Sequence, residues 1–479
     1  MTVRFKPSIM SAGNLLASQL LLRIVGPLIS LLVVRYLGPQ DYGYYASAMA
    51  VTALIAILAD FGTNQATLKY GSKGEEDLSD AFRISKVVSF VLASLAFIIT
   101  LIWFLVLDYE TITIQIGLLF SINYFVTAYR APASAVLQTK GAYKELATIS
   151  VCVSVVHWVA TLAMLLLKAD VRLVAGVPTA VAGIVSMMTF SMATKSLMTR
   201  PTLQTRWGVR QFLRDVWVFG LGGTFHQIYY QSGGALLSAM RPPLEVGFYN
   251  IPFRFLNIIY MIPGIIFNQV LYPKYFKLSS SDRERYRRFY VLTSKLMLAS
   301  GVVITLGLWA FGELAIEIVF GKDFGPSTRY LILLAGAVTF RYWASATGAV
   351  LTTDNLAERK VRLQGEIALL NLVLNLIFIP LYGALATAAT AVISDMLLSL
   401  RYFQLVNKAS LRINPWRELK LHYFLGALLL GTIINLVPGW GEIHMTALVV
   451  LIAALLIYLA TSLYFGEEEK AELFIRAQD

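Results

Sequence analysis

Fourteen mainly apolar stretches of spanning length follow one another along this 479-residue chain, and no other feature constrains its fold so tightly. A helix needs ~20 such residues to cross a bilayer, and in lipid every backbone polar group must be bonded internally. The stretches are 10–34, 43–68, 84–107, 112–137, 145–167, 173–194, 213–239, 248–272, 290–311, 326–351, 363–380, 382–404, 421–438 and 444–464. Short turns such as "FGKDFGP" and "VPGWGE" separate them. The predicted fold is an all-α integral membrane protein with 14 transmembrane helices. Composition agrees: 57% of residues are hydrophobic and 14% charged, against roughly 45–50% and 25% in soluble domains. The single cysteine, Cys152, excludes an internal disulfide and a cysteine-based metal site. The start, MTVRFKP, runs straight into a full-length span with no small-residue cleavage site, so no cleavable signal peptide is expected.

The net charge of +12 calls for an explanation. With the N-terminus placed in the cytoplasm, thirty of the forty Lys and Arg fall on the inner side, as the positive-inside rule requires. The outer turns hold six: Arg35, Lys168, Arg172, Arg241, Lys322 and Arg329. Four more, Arg23, Arg130, Arg254 and Arg341, lie farther within spans; cations within a few residues of a span end are counted with the adjoining loop. Shifting the span count by one scrambles this partition, so both termini are expected in the cytoplasm of a cell membrane. The basic loop "KYFKLSSSDRERYRRFY" at 274–290 is read as such an inner loop, with no nucleic-acid partner expected.

Two echoes recur six spans apart. "RYLGPQDYGYY" at 35–45 and "RPPLEVGFY" at 241–249 align on Gly43 and Gly247, with Tyr44-Tyr45 against Phe248-Tyr249. "ASAVLQTKGAYK" at 133–144 and "ATGAVLTTDNLAERK" at 346–360 end spans four and ten. Spans 1–6 and 7–12 therefore read as two copies of one bundle in the same orientation. This gives an N-terminal lobe at 1–198, a C-terminal lobe at 199–412, and an addition at 413–479 carrying spans 13 and 14. The pseudo-symmetric lobes are expected to flank a central cavity.

At this point the chain resembles the polysaccharide biosynthesis transporters. These are the O-antigen and lipid-linked oligosaccharide flippases, in the same superfamily as MATE multidrug exporters and the lipid II flippase. The residues that carry the resemblance are "VVRYLGPQDYGYYASA", "LADFGTNQATLKYGS", "LQTKGAYKELA", "EVGFYNIPFRF", "VFGKDFGPSTRYLILLA" and "IPLYGALATAATAVISD", in order along a fourteen-span frame. The resemblance implies lobes that open alternately to each side, a lipid-linked cargo for surface polysaccharide such as lipopolysaccharide, and no cofactor. A polysaccharide polymerase or ligase as partner would be an inference from the family alone.

Ionisable residues inside spans need a separate account, because a charge at mid-bilayer costs ~2.5–3.5 kcal/mol on insertion scales. Arg23, Arg130, Arg254 and Arg341 are all cations, and the Arg fork matches phosphate oxygens. Internal pairing with Asp60, Glu366 or Asp395 is the alternative, and Glu366 has Arg362 one turn away. Arg130 lies toward the inner end of its span, where it can snorkel to the interface. On span one, Gln19, Arg23, Gly26 and Ser30 share a helical face. The repeat maps them to Gly223, Gln227, Tyr230 and Gly234 on span seven, beside His226. Cavity lining and close packing through small residues are the two readings of these faces.

Arg23 and Arg254 are the leading candidates for holding a diphosphate, with Arg341, Gln19, His226, Gln227 and Tyr230 as further lining. Asp395, Glu366, His157 and His226 can titrate if an ion drives transport. No G-x-x-x-x-G-K-[ST] loop occurs, which argues against direct ATP drive. The expected function is that of a flippase, not an enzyme, moving a polyprenyl-diphosphate-linked oligosaccharide to the outer leaflet by alternating access. The rivals are an ion-coupled multidrug exporter, disfavoured by an arginine and no acid on span one, and a membrane glycosyltransferase or polymerase, disfavoured by the short outer loops.

Overall fold

The computed structural model describes residues 9–197, 208–267, 271–436 and 447–452. Every regular element among them is helical. Contacts divide the chain into two compact units, 1–247 and 248–479.

Unit 1 opens with α1 (Ile9–Ile55), 47 residues long. At 1.5 Å per residue it would reach about 70 Å, twice what a bilayer core accommodates. The chain resolves this at Gly38, whose φ of 71° and ψ of 175° are non-helical. Such a backbone suits glycine because an added Cβ is strained at positive φ. Pro39 follows at once, and the corner "RYLGPQDYGYY" is thus the bend that joins spans one and two. A 3₁₀ turn, Ala56–Asp60, then breaks span two; Gly62, at φ 75°, restarts the chain as α2 (Thr63–Gly71). The break has a packing cause. A Cβ at Gly62 would sit 2.4 Å from the Val216 carbonyl oxygen, and one at Gly220 would sit 2.4 Å from the Phe61 ring.

Four further helices complete the lobe: α3 (Glu75–Val106), α4 (Thr111–Thr139), α5 (Tyr143–Leu166) and α6 (Val171–Leu197). Their core packs small residues against aromatics. Ala93, Ala96, Phe104, Tyr124 and Ala128 form one buried cluster, with Tyr124 donating to the Thr52 carbonyl at 3.0 Å. Helix α7 (Val209–Met240) packs on α1 and α2, which is why contacts divide the chain at Gly247. The 198/199 boundary expected above rests on the sequence echoes instead.

Unit 2 holds most of α8 (Pro243–Ile266), then α9 (Tyr272–Ser281), α10 (Arg283–Phe320), α11 (Thr328–Thr353), α12 (Ala357–Tyr382), α13 (Ala384–Val406) and α14 (Leu421–Leu436). Asp282 caps α10, accepting from the Glu284 and Arg285 amides. Gly301 lets α10 approach α11 so closely that a Cβ would lie 2.6 Å from the Thr339 Cα.

Eight helical stretches among the described residues are long and apolar enough to cross a membrane by composition alone. Three effects separate that number from fourteen. Spans one and two are continuous and count once. Helices α7, α8 and α11 are long enough but carry Arg, His, Gln, Asn or Pro in their midst. Parts of spans 13 and 14 lie outside the described residues.

Candidate functional site

Helix α1 sets the face expected to line a cavity. The side chains of Gln19 and Arg23 lie outside the described residues, as does that of His226 on α7. One turn past Arg23, Gly26 backs onto α5: an added Cβ would lie 3.8 Å from Trp158 Nε1. Ser30, on the same face, donates to the Pro27 carbonyl. The matching face of α7 meets the second half of α1. Gln227 Nε2 donates to the Ala53 carbonyl at 3.4 Å, and a Cβ at Gly234 would touch Ala50 at 3.6 Å. Tyr230 is half-buried on that face. At Gln227 and Gly234 this face therefore serves helix packing within unit 1.

In unit 2, Arg254 donates from Nε to Asn250 Oδ1 at 3.0 Å, one turn earlier on α8. Asn250 is buried, so its amide holds the guanidinium stem against the helix. Arg341 at the middle of α11 pairs with Asp395 of α13, Nη2 to Oδ1 being 3.1 Å, and lies 4.4 Å from the Tyr260 ring centroid of α8. This gives Arg341 the internal counter-charge weighed above. Glu366 pairs with Arg362 at 3.3 Å, both well exposed. That is the one-turn pairing anticipated for it.

Unit 1 brings together residues that the sequence left apart. Asp60, at the break of span two, accepts from Thr63 Oγ1 at 3.0 Å and the Asn64 amide at 3.3 Å, capping α2. Asn64 in turn donates to the Ala131 carbonyl of α4 at 2.8 Å. The charge of Asp60 acts on Arg130, the neighbour of Ala131. Arg130 makes no hydrogen bond and no ion pair among the described residues. It opens instead into a cavity of about 190 Å³ between α4, α5 and α6. Asn123 lies two turns above it on α4. His157 and Trp158 enter from α5, and Thr179 and Ser186 from α6. His157 hydrogen-bonds to the Pro178 backbone.

The sequence offers Arg130 as a residue able to snorkel and His157 as one of several titratable groups, and it gives no such sign for Asn123, Trp158, Thr179 and Ser186. What signal there is lies in spacing. Asn123 and Arg130 are seven apart, as are Thr179 and Ser186, and seven residues make two helical turns.

A family model described as polysaccharide biosynthesis protein matches residues 32–329, more than half of the chain. The chain belongs to that family. Among solved structures it is similar to the lipid II flippase MurJ in an inward closed conformation, at 16% identity. That match covers 94% of this chain and 99% of that one, with a TM-score of 0.71. It is also similar to an inward-facing multidrug resistance MATE family transporter of the MOP superfamily. Here the identity is 14%, the coverage 81% and 97%, and the TM-score 0.60. A third likeness is to a MOP superfamily transporter from Pyrococcus furiosus described as having a binding pocket of reverse polarity. It has 14% identity, coverage of 82% and 96%, and a TM-score of 0.52. No curated protein matches in sequence. At these identities the structural likenesses establish the fold of this polysaccharide biosynthesis protein as that of the MOP transporters.

Proposed function

We propose that this chain is a flippase that carries a polyprenyl-diphosphate-linked oligosaccharide from the cytoplasmic to the outer leaflet. The observation that carries the reading is the conjunction of a polysaccharide biosynthesis family match with a near full-length likeness to a lipid II flippase. The relevant frame is fourteen spans with both termini in the cytoplasm, and lobes at 1–198 and 199–412 that open alternately. Arg23 and Arg254 hold the diphosphate, with Arg341, Gln19, His226, Gln227 and Tyr230 contributing to the lining. The pairing of Arg341 with Asp395 makes it a structural support of that lining, and Arg254, held at Nε by Asn250, stays with Arg23 as a leading candidate. The same pair puts Asp395 under a cation, so any coupling ion would act through Asp395, Glu366 or His157 by competing with an existing contact.

The chemistry requires no bond making: differential affinity for the cargo on the two sides, with consumption outside, gives direction. The test is leaflet movement of a fluorescent polyprenyl-diphosphate sugar in proteoliposomes. Wild type should move it, and Arg23→Ala and Arg254→Ala should each slow it at least tenfold. Movement that survives both changes would remove the diphosphate role of these cations. Export of an organic cation without any lipid movement would replace the flippase reading by the multidrug one.

A further inference from the structure

The cavity beside Arg130 is partly open and carries polar side chains on all three of its helices, and the flippase reading above does not use it. Its size decides what fits. At about 190 Å³ it falls below the roughly 300–1,000 Å³ of pockets for drug-sized ligands, so it suits one ring rather than a chain of rings.

Its chemistry narrows the ligand further. Among the described residues of the lining, Arg130 and His157 are the ionisable ones and none is a carboxylate. The nearby carboxylate, Asp60, is committed to Thr63 and Asn64, and stands off from Arg130 by more than an ion-pair distance. A guanidinium so placed can meet a second carboxylate with both arms, a geometry that favours planar anions. Around it stand groups suited to hydroxyls. Ser186 is 2% exposed, and its Oγ has no hydrogen-bond partner among the described residues. A buried hydroxyl left without a partner is unfavourable, and a small side-chain shift would let a ligand oxygen satisfy it. Asn123, exposed on α4, makes no hydrogen bond among the described residues. Trp158 supplies an apolar wall against which the C–H face of a ring can lie.

We infer that this cavity binds one carboxylate-bearing sugar, a hexuronate or an equivalent acidic ring. The inference deepens the flippase reading and rests on it for the statement that this sugar belongs to the cargo's glycan. In that role Arg130 takes the carboxylate, Ser186 and Asn123 take ring hydroxyls, and Thr179, whose hydroxyl donates to the Ala175 carbonyl, accepts from one. The cavity would then sort acidic from neutral glycans before a lobe closes.

The experiment is saturation-transfer NMR on the purified full chain in detergent, with free galacturonate, galactose and inorganic phosphate as probes. Galacturonate should bind at least fivefold more tightly than galactose. Ser186→Ala should weaken it about three- to tenfold while leaving thermal unfolding unchanged. Arg130→Gln should abolish binding, and Arg130→Lys, which keeps the charge and loses the fork, should restore part of it. Equal binding of galactose would overturn the acidic preference. Phosphate that displaces galacturonate completely at equal concentration would show a simple anion site and overturn the sugar. Binding unaffected by either Arg130 or Ser186 would place the sugar elsewhere. Flipping of a neutral lipid-linked glycan by a protein that fails to bind galacturonate would sink this inference alone. Galacturonate binding without any lipid movement would instead sink the flippase reading.

Discussion

Asp354, just past the end of α11, shows how a single carboxylate ties a turn to its neighbours. Both its oxygens accept from Arg283, at 2.7 and 2.9 Å, and the same guanidinium reaches Ser410. Burial alone would raise the Asp354 pKa; the hydrogen bonds from Arg283 and Ser410 and the charge of Arg283 outweigh it and hold the carboxyl below its ordinary value. A depressed folded pKa means that the stabilisation is fully present above the unfolded value of about 3.9 and fades as pH falls through the folded one. Arg283 is half exposed, so solvent screening limits the pair to about 1 kcal/mol or less. Asp354→Asn should therefore lower the thermal midpoint at pH 7, and the deficit should close as pH is taken toward about 3. Thermal unfolding in detergent across that range checks it. A deficit of the same size at both ends would assign the effect to shape rather than charge.

At the scale of elements, the two echoes in the sequence turn out to be two different kinds of contact. The glycines that align, Gly43 and Gly247, touch each other: a Cβ on Gly247 would lie 3.0 Å from the Gly43 Cα, and one on Gly43 would lie 2.4 Å from the Pro243 carbonyl oxygen. Gly43→Ala should cost about 1–3 kcal/mol, since the obstructing atoms are backbone and cannot rotate away. A thermal midpoint equal to wild type would disprove the close contact. The second echo is a latch with its charges exchanged. In unit 1, Lys140 after α4 pairs with Glu75 at the start of α3. In unit 2, Asp354 after α11 pairs with Arg283 at the start of α10. Gly141 and Asn355, the residues that follow, are both left-handed, at φ 73° and 59°. Lys140→Glu should destabilise unit 1 through repulsion by Glu75, and adding Glu75→Lys should recover most of the loss. Failure of the double exchange to recover stability would deny the latch.

These contacts also mark what the sequence made legible. Apolar runs of spanning length located the long helices among the described residues, and the turn glycines were visible by alignment. Breaks such as Phe61–Gly62 were not, because they answer to α7 packing on the chain 150 residues later. Arg341 with Asp395 was visible as a candidate pair but not as a fact, since pairing depends on which faces of α11 and α13 meet.

For the molecule as a whole, the number of crossings is the quantity on which orientation depends, and α11 is its test. Composition alone passes over this helix, yet its 26 residues reach about 39 Å, more than the bilayer core requires. Its central charge is neutralised by Asp395, which lowers the cost that makes Arg341 look unsuited to lipid. Helix α11 should therefore cross, placing Asp323 before it and Glu358 after it on opposite sides. Because Cys152 is the only cysteine, Cys152→Ser gives a clean background for single-cysteine labelling. With fourteen spans and cytoplasmic termini, Asp323→Cys should react with a membrane-impermeant maleimide in intact cells. Glu358→Cys should react only after permeabilisation. Labelling of both from outside would mean that α11 does not cross. The reverse pattern would invert the whole chain, and would put its basic loops on the side where the positive-inside rule does not allow them.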